Sequence, residues 1–263
     1  MPTATVNGVA LNYLEHGRGP AVVLIHGFPL DARIWTAQLD ALANDFRILA
    51  LNLPGFGKSA SGGTFTIESL ARTIHAFIEQ VNASPAVLGG LSMGGYTALA
   101  YARLYPTVLR GLMLVDTRAE ADSAEGRANR DKMIDLVRQH GAKPIADQML
   151  PRLLNEDAQR TRPLLVRQVR QIMEACPPLT IEHALTAMRD RADESSFLDS
   201  IAIPTLIICG EHDAITPPSV AQAMQRRIPD ASLALIKGAG HLAPMEQGEL
   251  VNGAMRKFLS GLR

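Results

Sequence analysis

In the run Val87-Leu88-Gly89-Gly90-Leu91-Ser92-Met93-Gly94-Gly95, a serine stands between two glycines, after an apolar segment and before a helix-forming one. A serine hydroxyl is a poor nucleophile at neutral pH. An enzyme that uses one must expose the oxygen on a sharp turn, supply a base and stabilise the oxyanion that forms. Gly90 and Gly94 permit the tight turn, because Cβ atoms flanking a strained strand-to-helix elbow would collide. The helix that starts near Ser92 also aims its N-terminal dipole at the reacting centre. A glycine-rich turn whose serine only caps the helix is the bland alternative. The order strand (86–91), elbow, helix (96–105, stopped by Pro106) favours the nucleophile.

A nucleophilic Ser92 needs a base. Among seven histidines, His241 has the best setting, in Lys237-Gly238-Ala239-Gly240-His241-Leu242-Ala243-Pro244, a glycine loop between a strand and the last helix. Its near-neutral pKa suits taking and returning one proton. His75 falls within an amphipathic helix, His140 and His183 within a charged stretch and His16 near a turn, all surface or structural settings. The carboxylate that orients the base is read as Asp213, in Gly210-Glu211-His212-Asp213 directly after a strand, with Glu211 and Asp116 as competitors. For the oxyanion, the Met93 N–H follows the nucleophile. The Phe28 N–H, in Ile25-His26-Gly27-Phe28-Pro29 at another strand end, is the second donor, with His26 orienting that loop. Phe28, Trp35 and Met93 suggest a modest apolar substrate, Trp35 as a substrate contact; their alternative is core packing.

The elements that must hold these residues follow from hydrophobic pattern. Segments 3–6 and 9–14 flank Asn7-Gly8, a type I′ hairpin signal. Apolar runs at 21–25, 46–51, 86–91, 109–115, 205–209 and 232–236 read as strands buried on both faces. Amphipathic stretches at 32–43, 67–81, 93–105, 219–227 and 246–259 read as helices between them. This is an α/β fold with a mostly parallel sheet covered by helices. From 118 to 196 no strand candidate occurs, only charged amphipathic helices punctuated by Gly141, Pro151, Pro163 and Pro177-Pro178. The chain is therefore divided into a core of 1–117 and 197–263 and a helical cap of 118–196. The many arginines of that interval, interleaved with acids, read as a solvated helical surface, and helices placed there would lie over the strand ends as a lid.

Bulk composition narrows the function classes. Lys plus Arg and Asp plus Glu both number 26 in 263 residues, so no global field draws nucleic acid or an anionic membrane. No apolar run approaches the roughly 20 residues that span a bilayer, and the first residues lack a signal pattern, which makes the cytoplasm the expected location. Cys176 and Cys209 are far apart and lack ligand spacing, so they read as structural thiols, with neither metal nor cofactor expected. Gly55-Phe56-Gly57-Lys58-Ser59 imitates the end of a phosphate-binding loop, but Asn52 stands where the first glycine belongs. The paired glycines 89–90 and 94–95 do not meet dinucleotide-binding spacing either.

Together, His26-Gly27-Phe28-Pro29, Asn52-Leu53-Pro54-Gly55-Phe56-Gly57-Lys58-Ser59, Gly90-Leu91-Ser92-Met93-Gly94-Gly95, Gly210-Glu211-His212-Asp213 and Gly240-His241 resemble the α/β-hydrolase superfamily. Within it, the chain is similar to the small esterase and lactonase branch, which includes 3-oxoadipate enol-lactonases, arylesterases and cofactor-free haloperoxidase or perhydrolase relatives. The resemblance implies an inserted cap, the chain order Ser92, Asp213, His241, and a carboxylic ester hydrolase acting on a small ester or lactone. The family usually has aspartate where Asn52 stands, a departure in a structural loop. Relatives of the dehalogenase and epoxide hydrolase type carry aspartate at the elbow, and Ser92 speaks against their reactions. The competing readings are a carbon–carbon bond hydrolase of β-diketone-like substrates and a slow-turnover ligand receptor.

Overall fold

The computed structural model describes residues 2–262. Its strands are β1 (Thr3–Val6), β2 (Val9–His16), β3 (Ala21–Ile25), β4 (Arg47–Leu51), β5 (Ala86–Leu91), β6 (Leu109–Val115), β7 (Thr205–Gly210) and β8 (Ala231–Ile236). They form one sheet in the order β1-β2-β4-β3-β5-β6-β7-β8. β1 with β2 and β2 with β4 are antiparallel, and the remaining pairs are parallel. The opening hairpin turns through Asn7 (φ 49°) and Gly8 (φ 80°), two consecutive positive-φ residues whose twist matches that of the strands they join.

Every residue of β3 and β5 is buried. Successive side chains on a strand point to opposite faces, so both faces must be covered. Val23, Ile25, Leu49, Leu51 and Leu88 pack in the cluster that holds α2 (Ile67–Gln80) and α3 (Met93–Leu104). Val22, Leu24, Ile48, Ala50 and Val87 pack in the cluster that holds α1 (Thr36–Leu42) and the C-terminal helix (Gly248–Gly261). β4 and β5 flank β3 on opposite sides. The sheet therefore changes direction at β3, and a crevice opens beyond the carboxyl ends of β3 and β5, where the Phe28 loop and Ser92 emerge.

Between β6 and β7 run α4 (Ala124–His140), α5 (Ala142–Leu153), α6 (Glu156–Thr161), α7 (Pro163–Glu174) and α8 (Pro178–Arg189), without a strand. Most of the punctuation works as its chemistry dictates: Gly141 leaves α4 at φ 75°, and Pro163 and Pro178 sit in the first turns of α7 and α8, where a missing N–H costs nothing, whereas Pro151 does not divide helices and lies inside α5, in its last turn. Ser123 and Asn155 cap α4 and α6 by accepting the N–H groups of Gly126 and Ala158. The arginines Arg127, Arg138, Arg152, Arg160, Arg162 and Arg167 are exposed, as their interleaved acids suggest. After β7 come α9 (Pro218–Arg227), the short α10 (Ala243–Glu246) and α11 (Gly248–Gly261). Two helices that sequence periodicity makes continuous are divided. The stretch 32–43 begins as a 3-10 turn over Ala32–Trp35, and 246–259 is broken at Gln247, whose φ of −134° and ψ of 53° leave the helical region.

Among the described residues, no helix is long and apolar enough to cross a membrane. Cys176 and Cys209 are both buried and free.

Candidate active site

The glycines around Ser92 are required by backbone crowding. A Cβ on Gly90 would strike the Gly94 carbonyl, one on Gly94 would strike the Ile25 carbonyl, and one on Gly95 would strike the Thr117 side chain. α3 can therefore start directly against the ends of β3 and β5. Ser92 itself holds φ 53° and ψ −112°, a strained conformation for a residue with a side chain. The surroundings over-determine it: its N–H donates to the Val115 carbonyl at 3.0 Å, and its carbonyl accepts from Gly95 N, Tyr96 N and Thr117 Oγ1. Ser92 is half-buried.

His241 and Asp213 arrive from neighbouring strand ends, after β8 and β7, and are almost wholly buried, at 1% and 3% exposure. Nδ1 of His241 lies 2.8 Å from Oδ2 of Asp213. With Nδ1 donating to the carboxylate, Nε2 is the nitrogen left to accept a proton. Asp213 collects further donors: Ile215 N at 2.7 Å and Thr216 N at 3.0 Å on Oδ1, and Thr216 Oγ1 at 2.6 Å on Oδ2. Burial alone would raise the Asp213 pKa. The His241 charge, its hydrogen bond and the Thr216 donors outweigh burial and hold the carboxyl below its ordinary value. Nε2 of His241 and Oγ of Ser92 are not hydrogen-bonded to each other, and in serine hydrolases such bonds commonly tighten only around substrate.

On the other side of the serine, Met93 is the first residue of α3, so its N–H has no intrahelical acceptor. Among the described residues, neither that amide nor the Phe28 N–H donates to a protein acceptor. Buried backbone donors are rarely left unpaired, and two at the mouth of one crevice make a ready anion cradle. His26 fixes the Phe28 loop. Its Nδ1 donates to the Gly27 carbonyl at 2.9 Å and its Nε2 accepts the Leu53 N–H at 3.1 Å. Full burial lowers its pKa, so the ring is neutral and holds the loop rather than moving protons. Asn52 adds a second brace by accepting the Ala32 N–H at 2.7 Å.

The competing carboxylates are placed elsewhere. Glu211 is exposed and accepts the Gly238 N–H. Asp116 is buried at the end of β6, accepting the Gly210 N–H at 2.7 Å, with its other oxygen unpartnered. Burial, reinforced by the negative charge of Asp213, pushes its pKa well up. Asp116, Cys209 and Asp213 do cluster within 4.8 Å. Burial also raises the Cys209 thiol, so this donor set holds protons that a metal ligand would have to release. Trp35 lies in the core at 0% exposure, packed in the cluster with Leu39, Leu42 and Leu242, its indole N–H without an acceptor.

A family model described as alpha/beta hydrolase fold matches residues 20–247. The chain is a member of the alpha/beta hydrolase family. A thermophilic esterase from Thermogutta terrifontis, in a malate-bound structure, is 39% identical, with 99% of this chain and 98% of that one covered at a TM-score of 0.95. The enol-lactonase of Burkholderia xenovorans LB400 is 26% identical over 98% of this chain and 100% of its own, at a TM-score of 0.92. A pimeloyl-[acyl-carrier protein] methyl ester esterase of Neisseria meningitidis is 30% identical over 92% of this chain and 77% of its own. These place this hydrolase in the small esterase and lactonase branch of the family.

Sequence reading missed two parts of this hydrolase. Thr216, which donates to Asp213, stands three residues beyond it in a turn spacing that signals local side-chain bonding. Glu246, 4% exposed, accepts Gly240 N at 2.8 Å and Asn155 N at 2.8 Å, tying the His241 loop to the α5–α6 junction. No local signal announces a carboxylate whose partner amide stands 91 positions away.

Proposed function

We propose that the protein is a serine carboxylic ester hydrolase that cleaves a small, fairly apolar ester or lactone through an acyl-enzyme. His241, its ring fixed by Asp213, takes the Ser92 proton at Nε2 as Oγ attacks the substrate carbonyl carbon. The tetrahedral oxyanion rests on the N–H groups of Met93 and Phe28, each worth about 3 kcal/mol of transition-state stabilisation. Collapse of the intermediate expels the alcohol, which takes the proton back from His241. Water, deprotonated by the same histidine, then releases the acid and restores Ser92. A lactone follows the same steps, with the alcohol still tethered to the product.

The observation that carries this reading is the buried His241–Asp213 hydrogen bond together with a strained, half-buried serine and two unpaired amides at the ends of the parallel strands. The likeness to esterases and an enol-lactonase adds support. Residues 118–196 act as the cap and size the acyl pocket. Leu154, Leu165 and Ile172 pack in one cluster with Leu242 and Ala243 beside His241, so the cap is continuous with the floor of the site. Trp35 supports that floor from within.

The test is hydrolysis of p-nitrophenyl esters from acetyl to octanoyl, and of a lactone panel, by wild type and Ser92→Ala. The expected result is turnover that falls by about 10⁵-fold or more in the variant, with its circular dichroism unchanged. Undiminished turnover in a pure variant would remove Ser92 from the chemistry. No turnover of any ester or lactone by the wild type would move the assignment to carbon–carbon hydrolysis or ligand reception.

A further inference from the structure

Beside the candidate active site, one helical turn along α3 from Ser92, lies a separate cavity of about 250 Å³ between α3, the start of α2 and the base of α8. Three arginines line it, Arg103, Arg118 and Arg191, and three acids, Glu68, Asp190 and Glu194. The acids are already engaged: Glu68 with Arg72, Asp190 with Arg189 and Glu194 with Arg103. Arg191, 5% exposed, shares the single carboxylate of Asp122 with Arg130, and its guanidinium lies 4.3 Å over the Tyr96 ring with Nε unpartnered.

Arg118 has no carboxylate partner among the described residues. Its one hydrogen bond runs to the Ile215 carbonyl at 2.6 Å, in the loop that also bonds Asp213. The Tyr96 hydroxyl is likewise without a hydrogen bond among them. Arg118 is thus the one lining arginine without a carboxylate among the described residues, and it and the Tyr96 hydroxyl leave donors free, while Phe65, Leu99, Ala100 and Ala187 give the cavity an apolar wall. A guanidinium with free donors recognises carboxylates through paired N–H groups.

We propose that this cavity is a binding site for a small monocarboxylate with a short apolar chain, its carboxylate held by Arg118 and the Tyr96 hydroxyl. The site is distinct from the crevice at Ser92 and does not rest on the esterase reading.

Titration calorimetry of the full chain with sodium butyrate tests it. The wild type is expected to bind one equivalent. Arg118→Gln, which removes the cation, and Ala187→Phe, which fills the cavity from α8, are each expected to weaken binding about tenfold or more. Arg118→Lys, which keeps the charge without the paired donors, should fall between. Thermal melts confirm that each variant is folded. Absence of binding to the wild type, or equal affinity in the folded Arg118→Gln and Ala187→Phe proteins, would overturn the proposal. The second result would place butyrate elsewhere, including the crevice at Ser92.

Discussion

The ends of β6 and β7 each present a buried aspartate, Asp116 and Asp213, close enough to share one cluster of atoms within 4.8 Å, yet their environments drive them in opposite directions. Asp213 gathers the His241 ring, two backbone amides and the Thr216 hydroxyl. Asp116 has the Gly210 amide on one oxygen and nothing on the other. Desolvation acts on both, and only at Asp213 do the His241 ring and enough donors offset it. Burial therefore does not decide which carboxylate is ionised beside the histidine; the count and charge of its partners do. Because the two repel each other, the ionised state of Asp213 helps keep Asp116 protonated.

The largest break in this contrast is Asp213→Asn. An amide of the same shape cannot stabilise the imidazolium and permits the wrong ring tautomer, so kcat for p-nitrophenyl acetate is expected to fall by about 10³- to 10⁴-fold. Asp116→Asn is expected to stay within about threefold of wild type in the same assay. A comparable loss in both would mean that the two aspartates share the role.

Next comes Thr216→Val, which removes one donor from Asp213 and leaves the carboxylate in place. One hydrogen bond to a charged group predicts a loss in kcat of about tenfold with little change in KM. Thr216→Ser should restore most of the activity, and failure of that rescue would assign the effect to packing.

The smallest effect is on stability against pH, and its sign differs between the two sites. Asp213 has a folded pKa below its ordinary 3.8, so its contribution is present above pH 3.8 and is lost as pH falls through the folded value. Asp116 has a folded pKa well above 3.8, so its contribution is present below pH 3.8 and is lost as pH rises through the folded value. Melting temperatures across pH 3–8 should therefore show the deficit of Asp213→Asn closing toward acid. The difference between Asp116→Asn and wild type should become more favourable to the variant toward neutral pH, by about 2–4 °C for each kcal/mol. Parallel curves for the two variants would contradict the assigned ionisation states.

Much of this was legible in the chain because local rules carry it. Strand runs apolar on both faces, the Asn7-Gly8 turn and the glycines of the elbow each follow from constraints within a few residues. Both aspartates follow strands; strand position together with the Gly210-Glu211-His212-Asp213 motif context gave Asp213 its preference over Asp116, but its hydrogen bonds belong to a loop folded back on itself, which periodicity does not describe. The Asn155–Glu246–Gly240 link joins segments distant in sequence. Arg191 lies within a helical interval whose other arginines are mostly exposed, and only tertiary packing buries it with its guanidinium over a tyrosine ring. The breaks at 32–35 and 247 arise from backbone angles that hydrophobic spacing cannot register.

The most direct test of the central claim is intact-protein and peptide mass spectrometry after brief exposure to p-nitrophenyl acetate at mildly acidic pH, where deacylation is slow. The account predicts one acetyl group, carried by the Ser92 peptide, formed at near wild-type rate in Asp116→Asn, greatly slowed in Asp213→Asn and absent in Ser92→Ala. Acetylation that maps to another residue, or that proceeds equally fast in Asp213→Asn, would contradict it.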